Sequence, residues 1–345
     1  MTTASVTIRA LSTTIQLHGS PPAIERLAAS WSRCLVDAPA DTTLTLPGSS
    51  LPLSDAYDYR LTTQIVARAI DATARDHVLL HAAGVAFPDG RVFALVAASG
   101  SGKTTAARVL CAAGLGYVTD ELVACDDTLT VVPFAKPLSQ LGRDGDDVKR
   151  QFSPDELGLG HSPSRLKLAG VVLLDRRPGL AESSARRLDL AEAVAELMPH
   201  TCGLPQLDAP LQRLTALASA VSVFRVTYGD ASQLADALVA LPDTWSAVPT
   251  VTAGGPDVWR RGMVKDAVVI GDVTMLLKDA TPITLGPLGR AIWEWLEEGA
   301  TIAELEAHLG DDAPPDAPAR LAEALRDLAA LGVVLPPGSG AKGAC

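Results

Sequence analysis

A glycine-rich loop between a strand-like and a helix-like segment is the feature that most constrains this chain. Residues 97–104 read Ala-Ala-Ser-Gly-Ser-Gly-Lys-Thr, after the apolar run 92–96 and before a helix-like stretch at 105–113. The spacing fits the nucleoside-triphosphate loop G-x-x-x-x-G-K-[ST], with Ala97 in place of the first glycine. Since the motif requires a preceding strand and a following helix, this context predicts a site for ATP or GTP.

The residue types of the loop suit that chemistry. Gly100 and Gly102 allow backbone N–H groups to turn inward around phosphate oxygens at the positive end of a helix. Lys103 is expected to reach the β- and γ-phosphates, and the Thr104 hydroxyl to bind Mg²⁺. A Gly/Ser-rich turn that caps an ordinary helix would have little need for Gly-Lys-Thr-Thr here. The predicted nucleotide-binding residues are Ser99, Gly100, Ser101, Gly102, Lys103, Thr104 and Thr105.

Composition excludes several classes of function. The 345 residues carry a net charge of -11 and no basic cluster, which argues against nucleic acid as a partner. The five cysteines are odd in number and lack C-x-x-C spacing, as expected for reduced thiols. No basic region followed by an apolar core opens the chain, and no run of 18 apolar residues occurs. We therefore expect a cytoplasmic protein without a membrane partner.

The first 77 residues predict a small α+β domain. Strands are expected at 5–11 and 14–17, and amphipathic helices at 22–36 and 61–76. Nothing in this segment carries chemistry, so we expect a packing or lid domain.

Residues 78–245 predict a mixed α/β core. Residues 136–164 are rich in Asp, Gly, Ser and Pro and are expected to form a loop. The expected strands are 78–87, 92–97, 117–120, 122–132, 169–174 and 221–227, and the expected helices are 105–113, 190–198, 210–220 and 231–241.

Acidic residues at the ends of two strands are candidates for binding Mg²⁺ or accepting a proton. Asp120 and Glu121 follow Lys103 by 17 and 18 residues and end a predicted strand. Asp175 ends a more apolar strand and is the rival candidate. Acids at strand ends are also common in turns, so a structural role stays open for both positions.

Three other residues are weaker candidates. His81 lies inside a predicted strand, and by composition alone a buried structural histidine is the commoner case. Lys136 and His200 lie in loop sequence, where a solvated side chain is the ordinary expectation.

The C-terminal part predicts a separate module after a linker at 246–256. Strands at 267–270 and 273–277 flank Gly271-Asp272, which fits a two-residue hairpin turn. Three helices follow, and the second opens with the capping box Thr301 and Glu304. Strands followed by three helices predict a winged-helix-like module over 257–337, with a flexible tail at 338–345.

The stretch 81–123 resembles the HPr kinase/phosphorylase family, especially its shorter relatives encoded with modified peptides. The resemblance lies in His-Ala-Ala-Gly-Val-Ala-Phe, the phosphate loop and Gly-Tyr-Val-Thr-Asp-Glu-Leu-Val. It implies a kinase for protein or peptide hydroxyls, with catalytic His81, Lys103, Asp120 and Glu121, and with Thr104 and Asp120 on Mg²⁺. Glu121 replaces the family's second aspartate, which leaves the base open between the two acids. The family's Glu-Ile-Arg-Gly signature has no clear copy, so phosphorylase activity is not implied.

The C-terminal segment resembles the PqqD-like peptide-recognition domain of ribosomal peptide biosynthesis. Such domains add an extended leader peptide to a sheet edge, which implies a groove between an edge strand at 273–278 and the third helix. A DNA-binding winged helix is disfavoured because the third helix balances its arginines with acids. The matching residues are 268–278, 283–285, 291–293 and 301–305.

The two resemblances together predict an ATP-dependent kinase acting on a Ser or Thr hydroxyl of a ribosomally made precursor peptide. A tethered leader-binding module would raise the local concentration of that peptide at the γ-phosphate. One alternative is a nucleotide-binding adaptor that hands the precursor to other enzymes of its pathway. Another is a small-molecule kinase whose C-terminal module stabilises an oligomer. The acceptor residue, the choice of ATP over GTP and the oligomeric state stay open.

Overall fold

The computed structural model describes residues 3–47, 54–98, 101–141, 149–241, 259–262, 264–297, 299–310 and 313–337. The fold is mixed α/β, as predicted, with several separate sheets. The predicted linker at 246–256 and the tail at 338–345 lie outside the described residues, and the predicted domain boundaries stay predictions. None of the helices in the described ranges combines the length and apolar character needed to cross a bilayer.

The N-terminal segment forms a three-stranded sheet with two helices. In the sheet β1 and β2 are antiparallel, and β2 and β3 are parallel. The first predicted helix ends early, at Ser30, and the second begins early, because the Ser54 side chain caps it by accepting a hydrogen bond from the Tyr57 N–H. The elements are β1 (Ala4–Ala10), β2 (Thr13–Gly19), α1 (Pro21–Ser30), β3 (Thr42–Thr45) and α2 (Asp55–Thr73).

The central part of the chain alternates strands and helices. Its elements are β4 (Val78–Leu80), β5 (Ala82–Ala86), β6 (Arg91–Val96), α3 (Lys103–Ala112), β7 (Gly116–Thr119), β8 (Val123–Cys125), β9 (Val131–Val132), β10 (Leu138–Leu141), β11 (Lys149–Phe152), β12 (Lys167–Arg176), β13 (Ser184–Arg187), α4 (Leu190–Leu197), β14 (Thr201–Cys202), α5 (Pro210–Ala220), β15 (Ser222–Tyr228) and α6 (Leu234–Val239).

A six-stranded sheet with the order β13-β15-β12-β6-β5-β7 forms the centre. Strand β12 runs parallel to both β6 and β15, whereas β5 is antiparallel to β6 and to β7. Residues of β6 alternate between two hydrophobic clusters: Phe93 and Leu95 pack with α3 and α6, and Ala94 and Val96 pack with α4 and α5. Burial on both faces explains why the strand is apolar from Val92 to Val96.

Two sequence expectations for this region are wrong. The strand expected at 78–87 is interrupted at His81, and its halves β4 and β5 belong to different sheets. The expected loop at 136–164 contains the antiparallel pair β10 and β11. A strand of four residues is too short to show a clear alternation of polar and apolar residues, and pairing with its neighbour stabilises it. A search for hydrophobic periodicity in the sequence therefore does not find it.

The C-terminal module contains a three-stranded antiparallel sheet in the order β17-β18-β19, a short pair β16-β20 and three helices. The Gly271-Asp272 hairpin is confirmed, with Gly271 at φ 55°, and the Thr301–Glu304 capping box is present. The elements are β16 (Arg260–Arg261), β17 (Asp266–Ile270), β18 (Val273–Lys278), β19 (Thr281–Leu285), α7 (Pro287–Trp295), α8 (Ile302–Ala307), α9 (Ala317–Ala330) and β20 (Val334–Leu335).

Strand β18 is the central strand of this sheet, so the expectation that 273–278 is an edge strand is wrong. The chain reverses at Asp279, which adopts φ 53°, and β19 then pairs with β18 from Lys278↔Thr281 to Thr274↔Leu285. Pro282 lies within β19, and a proline in the sequence favours a loop over a strand. Proline is tolerated in edge strands because one side of such a strand needs no N–H donors.

The C-terminal sheet packs directly on α5. Val268, Met275 and Leu277 belong to the same hydrophobic cluster as the residues of α4 and α5. The buried Asp266 carboxylate accepts hydrogen bonds from the Gln212 backbone N–H (2.9 Å) and from its side-chain amide (3.2 Å). The module is therefore docked on the core, not merely tethered by a linker.

Candidate functional site

The glycine-rich loop lies between β6 and α3, as the motif predicts. Gly102 precedes α3 at φ 100°, a left-handed conformation that costs a side-chain-bearing residue about 1–2 kcal/mol. Ala97 is not among the described non-glycine residues with positive φ, so a side chain is tolerated where the motif has its first glycine. Ser101 donates a backbone hydrogen bond to the Ala98 carbonyl. Ser99 and Gly100 lie outside the described residues.

Lys103 is the first residue of α3, and its side chain is turned back along the loop. Its Nζ donates to the carbonyl oxygens of Ala97 (2.7 Å) and Ala98 (3.4 Å). Burial lowers the pKa of Lys103, and the charges of Glu121 and Asp120 oppose that shift. The ammonium group therefore lies at the loop, within the field of both acids.

Asp120 and Glu121 lie beside the loop because the chain turns sharply after β7. The buried Thr119 hydroxyl accepts hydrogen bonds from the backbone N–H groups of Glu121 (3.2 Å) and Leu122 (3.4 Å). A hydroxyl that accepts from the following amides stabilises a turn at a strand end. The turn allows two consecutive acids to face one partner, whereas in a regular strand they would point to opposite faces.

That partner is Lys136, which is 1% exposed. Its Nζ lies 2.9 Å from Asp120 Oδ1 and 2.9 Å from Glu121 Oε2, and it donates to the Pro137 carbonyl at 3.0 Å. Burial acts to lower the pKa of Lys136, but the two carboxylates outweigh it and the pKa is raised. The expectation of a solvated loop residue is therefore wrong: Lys136 is the buried cation at the floor of the site.

Asp120 and Glu121 differ in the number of hydrogen-bond partners of their carboxylate oxygens and in their exposure to solvent. Asp120 Oδ1 also accepts from the Tyr117 hydroxyl (3.2 Å), and Oδ2 accepts from the Thr104 hydroxyl (3.2 Å). The Asp120 side chain is 6% exposed, whereas that of Glu121 is 35% exposed. Burial acts to raise the pKa of Glu121, but the charge of Lys136 outweighs this and the pKa is lowered. Glu121 is therefore an accessible carboxylate that stays ionised at neutral pH.

A backbone hydrogen bond joins His81 and His200. The His81 N–H donates to the His200 carbonyl (2.7 Å), and the next N–H, of Ala82, donates to the Glu121 carbonyl (3.1 Å). Burial and the charge of Lys103 lower the pKa of both histidine side chains. His81 is therefore neutral at pH 7 and borders the cleft between the loop and Glu121.

A cleft of about 540 Å³ collects most of the predicted residues. One side carries the start of α3, and the floor carries the acids with Lys136 and His81. Its other side comes from α2 and the β10–β11 pair, which sequence reasoning did not assign to the site. The lining residues are Tyr59, Thr62, Thr63, His81, Gly102, Lys103, Thr104, Thr105, Arg108, Asp120, Glu121, Lys136, Ser139, Gln140 and Lys149.

The rival acid Asp175 is not among the residues that line this cleft. Its carboxylate accepts from the Arg177 guanidinium (3.1 Å) and from the Thr227 hydroxyl (3.2 Å), and these hydrogen bonds lower its pKa. These contacts fit the structural role that the sequence left open for a strand-end acid. The geometry favours Asp120 and Glu121 as the acids next to the loop.

Thr104 and Asp120 offer a hydroxyl and a carboxylate oxygen that face each other at 3.2 Å. Oxygen ligands of this kind suit Mg²⁺. No group of three or more His, Cys, Asp and Glu side chains that could hold a metal occurs within the described ranges. The donor set therefore fits an ion that takes its other ligands from nucleotide phosphates and water, as Mg²⁺ does in such sites.

Comparison with known proteins gives little further information. No family model matches the chain, and no curated protein sequence matches it. Among solved structures, the HPr(Ser) kinase/phosphatase from Coxiella burnetii matches with 11% identity and a TM-score of 0.28, over 47% of this chain and 93% of that chain. A likeness of this strength assigns neither a family nor an activity.

Proposed function

We propose that this protein is a kinase that transfers the γ-phosphoryl group of ATP or GTP to a hydroxyl group. One observation carries the proposal: Lys103, Thr104, Asp120 and Glu121 meet in a single cleft at the start of α3. Phosphoryl transfer needs a cation at the phosphates, oxygen ligands for Mg²⁺ and a carboxylate near the attacking hydroxyl. All three are present within one cavity large enough for a nucleotide.

Each residue of the cleft has a role in this proposal that follows from its position. The N–H groups at the start of α3 and the Lys103 ammonium bind the β- and γ-phosphates. Thr104 and Asp120 hold Mg²⁺, which when bound neutralises charge on the phosphate oxygens. Lys136 holds the two carboxylates in fixed positions, so that neither must reorganise when substrate arrives.

Glu121 is the better candidate for the group that accepts the hydroxyl proton. Both oxygens of Asp120 already accept hydrogen bonds, from Lys136 and Tyr117 on one side and from Thr104 on the other. Among the described residues, the Glu121 carboxylate pairs only with Lys136, and it borders the cleft. His81, which is neutral and lines the same cleft, can donate a hydrogen bond to the substrate hydroxyl or accept one from it without adding a charge.

The acceptor in this proposal is a Ser or Thr of a precursor peptide whose leader binds the C-terminal module. Among the described strands, β19 pairs only with β18, so it forms the edge of the sheet opposite to β17. Four of its five residues are exposed or half-buried. An extended peptide can add to such an edge through backbone hydrogen bonds. Strand β17 is less suited, because α5 packs against it.

The test is mass spectrometry of a candidate precursor co-expressed with the full chain, in parallel with Lys103→Ala. A gain of about 80 Da for each phosphoryl group, lost in the Lys103→Ala variant, is the expected result. A precursor that binds but keeps its mass would refute the kinase and leave the adaptor. Phosphorylation of a small hydroxyl compound without any binding of the precursor would refute the peptide as acceptor.

A further inference from the structure

One side of the cleft has no role in the nucleotide chemistry above. Helix α2 packs against β11, and together with β10 they form the side that faces the start of α3. We call this surface the α2–hairpin wall. Its lining residues are Tyr59, Thr62, Thr63, Ser139, Gln140 and Lys149.

The geometry of phosphoryl transfer determines what this wall can meet. The attacking oxygen approaches the γ-phosphorus roughly in line with the leaving β–γ bridging oxygen. The β-phosphate is expected at the loop and the start of α3, so the attacking oxygen must come from the other side of the cleft. Glu121 lines the same cleft as both the start of α3 and the α2–hairpin wall.

The wall also has a definite charge. The Lys149 Nζ lies 5.2 Å from the centre of the Tyr59 ring, a cation–π contact that holds the ammonium at the cleft. Lys149 forms no ion pair with a carboxylate of the described residues, whereas its neighbour Arg150 pairs with Asp55 at 3.1 Å. None of the described residues that line the wall is acidic. Of the two acids near it, both share Lys136, and the charge of Lys149 helps to lower the pKa of Glu121.

The wall contains an unused donor as well. The Gln140 side-chain nitrogen is buried and has no hydrogen-bond partner among the described residues. A buried amide without a hydrogen-bond partner is unfavourable, so a ligand that accepts a hydrogen bond from it relieves that cost. A backbone carbonyl or a carboxylate of a bound chain would satisfy it.

Resting on the proposed kinase activity, we infer that the α2–hairpin wall binds the acceptor and selects a hydroxyl flanked by acidic side chains. The substrate class is an extended acidic peptide segment around the modified Ser or Thr. Lys149 contacts its negative charge, Gln140 donates to its backbone, and Tyr59 supports both the peptide and the lysine.

The test uses two synthetic peptides that differ only in the residues beside a single serine, Glu in one and Lys in the other. The full chain is compared with Lys149→Glu and with the control Lys167→Glu, which reverses an exposed lysine at the start of β12, away from the cleft. We expect the parent chain to prefer the Glu peptide. In Lys149→Glu, the KM for that peptide should rise by about tenfold, since a charge reversal at close range exceeds 1.4 kcal/mol.

Calorimetry with ATP separates the other outcomes. If Lys149→Glu weakens ATP binding and leaves the peptide preference intact, the wall binds the nucleoside and the inference is overturned. Equal phosphorylation of both peptides overturns it too. Failure of the proposed function looks different: the parent chain then phosphorylates neither peptide nor the precursor, or its affinity for ATP is no higher than that of Lys103→Ala.

Discussion

Replacing Lys136 by methionine tests whether the buried ion cluster holds the site together. Methionine matches the length of lysine but leaves the carboxylates of Asp120 and Glu121 without their cation. Removing one partner of a buried ion pair destabilises a protein by about 3–5 kcal/mol, because the remaining charge is desolvated and unpaired. For a domain of this size, 4 kcal/mol corresponds to a fall in Tm of about 10 °C. The exposed lysine in Lys167→Met is the matched control and should shift Tm by less than 2 °C.

The pH dependence of that loss has a definite sign. The pKa of Glu121 is lowered in the folded chain, so its contribution to stability is present above its ordinary value of 4.5 and disappears as the pH falls through the folded value. The pKa of Lys136 is raised, so its contribution is complete below 10.5 and is lost only at higher pH. The difference in Tm between the parent chain and Lys136→Met should therefore be full at pH 7 and shrink below pH 4.5.

Thermal unfolding followed by tryptophan fluorescence at pH 4 and pH 7 measures both effects. Adding Glu121→Gln to Lys136→Met should recover part of the lost stability, since one unpaired charge is removed. A fall in Tm of less than 3 °C at pH 7, or an equal fall at both pH values, would refute the argument that Lys136 neutralises the acids.

Three further predictions concern the loop, the metal ligands and the docked module. Gly102→Ala should raise the Kd for ATP at least tenfold in calorimetry, because a residue with a Cβ resists φ 100° next to the phosphates; unchanged affinity would refute the loop's role. Thr104→Val should reduce the difference between ATP binding with Mg²⁺ and with EDTA, since one of the oxygen ligands is lost, and an unchanged difference would exclude Thr104 as a ligand. Asp266→Ala should destabilise the module by about 1–2 kcal/mol and speed its release by limited proteolysis, because the Gln212 N–H loses its acceptor. The exposed Asp272→Ala is its control.

The sequence predicts the parts of the site that depend on neighbouring residues. The strand before Lys103 and the helix that begins at it follow from local pattern, whereas the φ of 100° at Gly102 comes from the structure. The acids at 120 and 121 follow from their place at a strand end, although which of them has fewer hydrogen-bond partners does not. That distinction depends on Tyr117, Thr104 and Lys136, whose side chains meet the acids only in the folded chain.

Other parts of the site could not be predicted from local pattern. Lys136 is 15 residues from Glu121 in a segment rich in proline, where nothing marks a buried charge. Helix α2 shows only an apolar face for packing, yet its other face borders the cleft through Tyr59 and Thr63. The strands β10, β11 and β19 are short and mix polar with apolar residues, so pairing with a neighbour determines them more than their own composition does.

The amino-acid sequence by itself determined the phosphate loop, the apolar strands around it and the capping and turn residues, because each depends on the conformational preferences of a few consecutive residues. Only the tertiary structure decided which charges are buried together, which strand of the C-terminal sheet is at the edge, and which helix faces the loop. Those features depend on contacts between residues far apart in the chain, such as Lys136 with Asp120 and Asp266 with Gln212. The energy of such contacts comes from burial and pairing, which a local pattern does not contain.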